Sequence, residues 1–278
     1  MAFEDWTSFV ISLAGAEKRR EDCKRLFEQL GFGPVFVEAI DGAALDDADL
    51  AGYYDATKNH SVFKRPLSRP EIGCYLSHYA LWMEISRRPE PGAFIFEDDV
   101  APLDPEIFIS ALSRITELRL GADIIKLHQT KSLRGRSIAP ISDDHEIINC
   151  RVASPFTTGY AITRSAAATL AQSVLPFARP VDIDLKHWWE FGIRTLAVRP
   201  GLVVSSGAYD SRIDAGRHGA EIARHAYLRR FFRNLQYQAQ FHSGLAKAHY
   251  RSRQGARQSF QAARNQIARP ARDLARWE

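Results

Sequence analysis

The chain has 278 residues, 45% of them hydrophobic and 25% charged, with 37 Lys and Arg against 33 Asp and Glu. That is enough apolar mass for one large domain, alone or with an appendage, and it excludes an intrinsically disordered chain. No apolar run approaches the ~18 to 20 residues of a membrane-spanning helix, and the opening "MAFEDWTSFVISL" has no basic segment and no small-residue cleavage site, so neither a span nor a cleaved leader is expected.

Ser8 to Leu13, "SFVISL", is a short β-rich run. A charged helical pattern follows from Glu17 to Leu30 and stops at Gly31; Val35 to Gly42, "VFVEAIDG", then reads as a second strand closing on an Asp-Gly turn. A strand–helix–strand unit of this length predicts that the two strands are parallel. Asp46 to Pro66 shows little periodicity and predicts an irregular connection or small helices.

A helix should begin in "LSRPEIGCYLSHYALWMEISRR", where Ser68 and Glu71 have capping-box spacing and Pro70 sits in the first turn. Ile72, Tyr75, Leu76, Tyr79, Trp82 and Met83 give it a broad apolar face. The strand "AFIFEDDV" (Ala93 to Val100) comes next, and "LDPEIFISALSRI" repeats the entry signal with Asp104 as N-cap and Pro105 at the first helical position. Asp123 to His128, "DIIKLH", is a further strand. Strands alternating with helices indicate an α/β sheet that is mostly parallel.

Lys131 to Asn149 loosens into a surface excursion or hairpin. "TTGYAITRSAAATL" predicts a strand over Gly159 to Thr163 and a helix capped by Ser165; "PVDIDLKHWWEFG" predicts a short helix and "RTLAVRP" a strand. Beyond about Tyr209 sheet signals cease. From Gly216 onward there are thirteen Arg and Lys against three acids, interleaved with Tyr227, Leu228, Phe231, Phe232, Leu235 and Tyr237. This basic tail suits either an amphipathic helix lying on an anionic membrane surface or a helical extension packed on the body, and it carries no nucleic-acid motif.

Three stretches could carry chemistry. In a strand Glu97 and Asp99 share one face and Asp98 points to the other. Ligands of open parallel sheets bind beyond the carboxyl ends of strands, so these acids suit either a Mg²⁺ or Mn²⁺ holding phosphates or a plain solvated strand end. Arg69, Glu71, Ser77 and His78 are polar positions flanking the long apolar helix, where a histidine is structural or catalytic. Asp182 and Asp184 stand at a helix start; one serves as N-cap and the other is left as a candidate general base. Cys23, Cys74 and Cys150 lack metal-ligand spacing and suit buried thiols in a reducing cytoplasm.

Together, "VISLAGAEKRREDCKRLFEQLG" with "VEAIDG", "LSRPEIGCYLSHYALW", "FIFEDDV", "DIIKLH", "TTGYAITRSAA" and "PVDIDL", in this order, resemble glycosyltransferase family 25 from about Phe9 to about Ser206. That family includes bacterial lipooligosaccharide galactosyltransferases and collagen galactosyltransferase domains. The resemblance implies a GT-A-like, Rossmann-like nucleotide-sugar fold, expected over residues 1–210; the basic helical extension expected over 211–278 lies outside the resemblance. It also implies inverting transfer from a UDP-sugar, with UDP-galactose as the expected donor, to a lipopolysaccharide or other surface glycan, usually with Mn²⁺ or Mg²⁺.

Carried over to this chain, it makes Glu97 and Asp99 the metal residues and gives Arg19, Arg20, Ser77, Asp98, Thr158, Gly159 and Tyr160 to the nucleotide sugar. Asp182, Asp184, Glu71 and His78 are then the catalytic candidates, with Asp182 first as base. One departure is Ser12-Leu13-Ala14, where Asn-Leu-Asp is more usual. The expected place is the cytoplasm, at the inner face of the membrane. A metal-dependent phosphohydrolase or nuclease, and a non-catalytic sugar-nucleotide binder, are the rival classes.

Overall fold

The computed structural model describes residues 5–118, 120–130, 133–207 and 233–250. By compactness the chain divides into Met1–Asn234 and Leu235–Glu278. Residues 235–250 of the second unit are helical. The remaining Arg-rich segment, including Tyr227, Leu228, Phe231 and Phe232 of the expected amphipathic helix, lies outside the described residues. Among the described residues no helix is long and apolar enough to cross a membrane.

The first unit is built on an eight-stranded mixed α/β sheet. Its early strands are β1 (Trp6–Ser12), β2 (Val35–Glu38), β3 (Gly92–Glu97) and β5 (Ile124–Lys126), and the hairpin β6 (Gly135–Pro140) and β7 (Glu146–Cys150) follows. With β8 (Gly159–Thr163) and β9 (Thr195–Arg199) they run in the order β2-β1-β3-β8-β5-β9-β7-β6. A separate antiparallel pair joins β4 (Val100–Pro102) to β10 (Val203–Ser205).

The first strand–helix–strand unit is parallel as its length requires, β1 flanked by β2 and β3. The sheet as a whole is not mostly parallel, however: beyond those pairs only β5 and β9 run together, and β8 enters antiparallel between β3 and β5. Period and composition identify a strand without its direction. Direction is set by the end at which the preceding connection delivers the chain, and the loop after β7 delivers β8 to the carboxyl ends of β3 and β5.

Two helices cover one face. Cys23 and Phe27 of α1 (Glu17–Gln29) and Phe108, Ala111, Leu112 and Ile115 of α5 (Pro105–Glu117) pack with Val10, Phe94 and Phe96 of the sheet. Phe96 is the hinge of this cluster, 5.5 Å from Phe27 and 5.7 Å from Phe108 between ring centres. Such close-packed apolar burial supplies the main stabilisation of the sheet. On the other side α4 (Arg69–Arg87) packs against α6 (Arg164–Ser173), and α6 against β3 and β8.

Entry signals decide most helix starts. Ser68 and Glu71 form the expected capping box of α4, and Asp104 caps α5 through the amides of Glu106 and Ile107. At α6 the cap is Thr163, not Ser165: its hydroxyl accepts from the Ala166 amide, and the helix begins two residues earlier than expected. For α7 (Val181–Lys186) neither aspartate is the cap; Pro180 occupies that position, so both acids are inside the helix.

Candidate active site

The carboxyl ends of β1, β3 and β5, the start of β8, the start of α7 and one face of α4 meet at one edge of the sheet. β3 ends at Glu97, and Asp98 and Asp99 form a turn. Strand alternation therefore stops before Asp99, and both aspartates reach the same cation, Arg19 Nη2 at 2.6 Å from Asp98 and 4.0 Å from Asp99. Asp98 also accepts from the Ser12 hydroxyl at 2.8 Å, so the departure at Ser12 binds the acidic turn to the first strand. Arg20 donates to the Ser12 carbonyl at 3.3 Å and lies over the Phe36 ring, securing the same corner.

Asp99 has an oxygen, Oδ1, that is buried without a hydrogen-bond partner. Burial, reinforced by the neighbouring Glu97 charge, pushes its carboxyl up to about 6. Its backbone is fixed by the Ser206 amide, which donates to the Asp99 carbonyl at 2.8 Å.

Glu97 turns toward α4. Its Oε1 accepts from the Thr157 hydroxyl at 2.6 Å and stands 3.6 Å from Nε2 of the buried His78. Burial alone would raise Glu97, but His78, Thr157 and Lys126 bring it below the ordinary carboxylate value. The other ring nitrogen of His78 is 2.9 Å from the Tyr160 hydroxyl, which also accepts from the Trp82 indole at 2.9 Å. Tyr160 thus orients His78. Cys74, one turn before His78, completes a group whose ligand atoms lie within 4.8 Å of one another.

Lys126 and Asp182 close the site. Lys126 is wholly buried; its ammonium donates to the Phe156 carbonyl at 2.6 Å and lies over the Tyr160 ring. Desolvation lowers it to about 8 against the pull of Asp182 and Glu97. Desolvation raises Asp182 to about 6, with Lys126 as the opposing charge. The two opposite charges act on one another at the carboxyl end of the sheet, where burial moves both toward neutrality.

Other expected residues stand at the margin, engaged in architecture. Asp184 is buried, with Arg179 Nε donating at 2.5 Å and the Tyr75 hydroxyl at 2.8 Å, so its oxygens are occupied. Glu71 is buried in a bidentate pair with Arg65 and accepts from the Ser68 amide; these partners overcome burial and hold it at about 2. The Ser77 hydroxyl accepts from the Ile40 amide and donates to the Gly73 carbonyl, joining α4 to the chain after β2. Thr158 pairs with Ser205 at 3.0 Å. A Cβ on Gly159 would come within 3.0 Å of Val203, so this position admits the close approach of β10.

Sequence reasoning passed over Cys74 and Lys126. Both left a signal: Cys74 and His78 have the i, i+4 spacing that shares a helix face, and Lys126 is the one charge inside the apolar run of its strand.

The family described as "Glycosyltransferase family 25 (LPS biosynthesis protein)" matches residues 6–185. Procollagen galactosyltransferase 1-B of Xenopus laevis is 32% identical over 198 residues, 66% of this chain and 30% of that protein. Procollagen galactosyltransferase 2 of Homo sapiens is 36% identical over 186 residues, 63% of this chain and 29% of that one. A mouse relative named "Inactive glycosyltransferase 25 family member 3" is 34% identical over 100 residues, 33% of this chain and 16% of its own. The chain thus spans about 30% of the length of the curated relatives it matches first.

Proposed function

The chain belongs to glycosyltransferase family 25, and from that premise we infer that it is an inverting glycosyltransferase moving galactose from UDP-galactose to a hydroxyl of a surface glycan such as lipopolysaccharide. The observation that carries the reading is Asp182: a carboxylate raised to about 6, without an ion pair among the described residues, beside the buried Lys126.

In this mechanism the acceptor hydroxyl attacks the anomeric carbon as Asp182 takes its proton, and the bond to the diphosphate breaks on the opposite side, which inverts the configuration. Lys126 keeps Asp182 ionised until that proton arrives, and the loop it holds at Phe156 walls the site. Arg19 supplies positive charge on the acidic turn where the diphosphate would leave.

Mn²⁺ or Mg²⁺ is the cofactor the family implies. The orphaned Oδ1 of Asp99 and its raised carboxyl fit a hard divalent cation, with Glu97 as the adjacent carboxylate; both oxygens of Asp98 are already engaged by Arg19 and Ser12. When bound, such an ion neutralises charge growing on the leaving diphosphate. The basic tail supports a site of action at an anionic cytoplasmic membrane surface.

The second reading, a non-catalytic sugar-nucleotide binder, is favoured by the relative named inactive. Thermal shift with UDP and a panel of UDP-sugars, with Mn²⁺ and then EDTA, followed by UDP release during turnover, separates the two. Metal-dependent stabilisation with donor turnover supports transfer, binding with no turnover supports the binder, and no response to any uridine nucleotide overturns both.

A further inference from the structure

We propose that Cys74, His78 and Glu97 form a second cation site, selective for a borderline-soft divalent ion of the zinc type and sharing the Glu97 carboxylate with the hard-ion position at Asp99.

Nε2 of His78 is buried and makes no hydrogen bond, on a side chain that is 1% exposed. It points at Oε1 of Glu97 from 3.6 Å, beyond hydrogen-bond reach. Two atoms bound to one tetrahedral zinc at about 2.0 to 2.1 Å lie about 3.4 Å apart, and a thiolate at about 2.3 Å lies slightly farther from each. The 3.6 Å separation suits that geometry, and the three ligand atoms, all within 4.8 Å of one another, reach it by a shift of about 1 Å.

The hydrogen bonds behind the site hold the imidazole in place. The Tyr160 hydroxyl accepts from Trp82 and meets Nδ1 of His78. When Nδ1 carries the proton and donates to Tyr160, Nε2 presents a lone pair to a carboxylate and a thiol, which repels unless a cation intervenes. When Nε2 carries it, the N–H faces the Glu97 carboxylate from 3.6 Å, a loose pairing that a bound cation would replace. A bound cation resolves the first arrangement, and a metal-bound histidine held by its other nitrogen is the usual supporting geometry.

The donor set decides the class of ion. A thiolate and an imidazole with one carboxylate select zinc or a similar ion over Mn²⁺ and Mg²⁺, which prefer oxygen. Three protein ligands leave a fourth position open. The charges facing the site are Asp182, Asp99 and Glu71, which act on Cys74 along with Glu97, and Lys126, which acts on Glu97. Carboxylates outnumber the one ammonium. On binding, the Cys74 S–H bond breaks, the proton leaves to solvent and sulfur gives its electron pair to the ion.

The test uses the metal-free full chain and needs no sugar nucleotide, so its outcome is separate from the transferase reading. Cobalt(II) should give a thiolate-to-metal charge-transfer band that is lost in Cys74→Ser and kept in a Cys23→Ser/Cys150→Ser protein. Zinc affinity, by competition with a chelating dye, should fall at least tenfold in His78→Gln. In the wild-type protein, zinc should slow alkylation of Cys74, followed by mass spectrometry, while equal Mn²⁺ should not. This last measurement needs no variant to fold. Absence of the band, its persistence in Cys74→Ser, or equal protection by Mn²⁺ would overturn the site.

Discussion

Asp184 accepts a 2.5 Å hydrogen bond from Nε of Arg179, whereas Asp182, two residues earlier on the same six-residue helix, has no ion pair among the described residues. One acid is fixed by charge and the other is poised to change it. Asp182→Asn should lower kcat by about 10²- to 10⁴-fold with little change in the melting temperature. Asp184→Asn should leave Arg179 partly uncompensated and cost about 3 kcal/mol of stability, while turnover per folded molecule persists. Parallel kinetic and thermal-melt measurements on both proteins check this; the reverse pattern would transfer the base to Asp184.

The pH profile follows from Asp182 and Lys126. A base must be ionised, so kcat/KM should rise with pH through about 6, and it should fall again as Lys126 loses its charge through about 8. Asp182→Asn should flatten what activity remains on the acid side, and Lys126→Met should remove the alkaline limb. An acid limb unchanged in Asp182→Asn would assign it to another carboxyl.

Helix α4 crosses the segment after β2 at the closest backbone approach near the site. A Cβ on Gly73 would fall on backbone atoms of Gly42 and Ile40, and one on Gly42 would fall on the Arg69 carbonyl. Gly73→Ala must push α4, and with it Cys74, Ser77 and His78, away from its seat. Urea unfolding should show a loss of about 1 to 3 kcal/mol, the usual cost of overpacking. Gly33→Ala, where an added Cβ meets nothing within 4 Å, should change little.

Acid stability should depend on Glu71. Its folded value of about 2 lies below its ordinary 4.5, so the stabilisation is complete above 4.5 and is lost as pH falls toward about 2. Chemical denaturation across that window should show a steeper decline in the wild-type protein than in Glu71→Gln. Equal slopes would mean that the Arg65 pair does not outlast its desolvation cost.

The amino-acid sequence by itself determined the elements and their order, because capping residues, apolar period and turn chemistry are local. Ser68 with Glu71 started α4, Asp104 started α5, and Gly31, at φ 79°, follows the end of α1. It also singled out Glu97, Asp98, Asp99 and Asp182 as candidates, reading the first three as a strand end where the chain in fact turns after Glu97. Only the tertiary structure decided what each charged side chain faces. The direction of β8, the sharing of Arg19 by Asp98 and Asp99, the capture of Asp184 by Arg179 and of Glu71 by Arg65, and the opposed charges of Lys126 and Asp182 each depend on how separate segments pack. A carboxylate in sequence is only a carboxylate; whether it is a strut, a ligand or a base is set by how much water and which countercharge the fold leaves beside it, and that is a property of the packed chain.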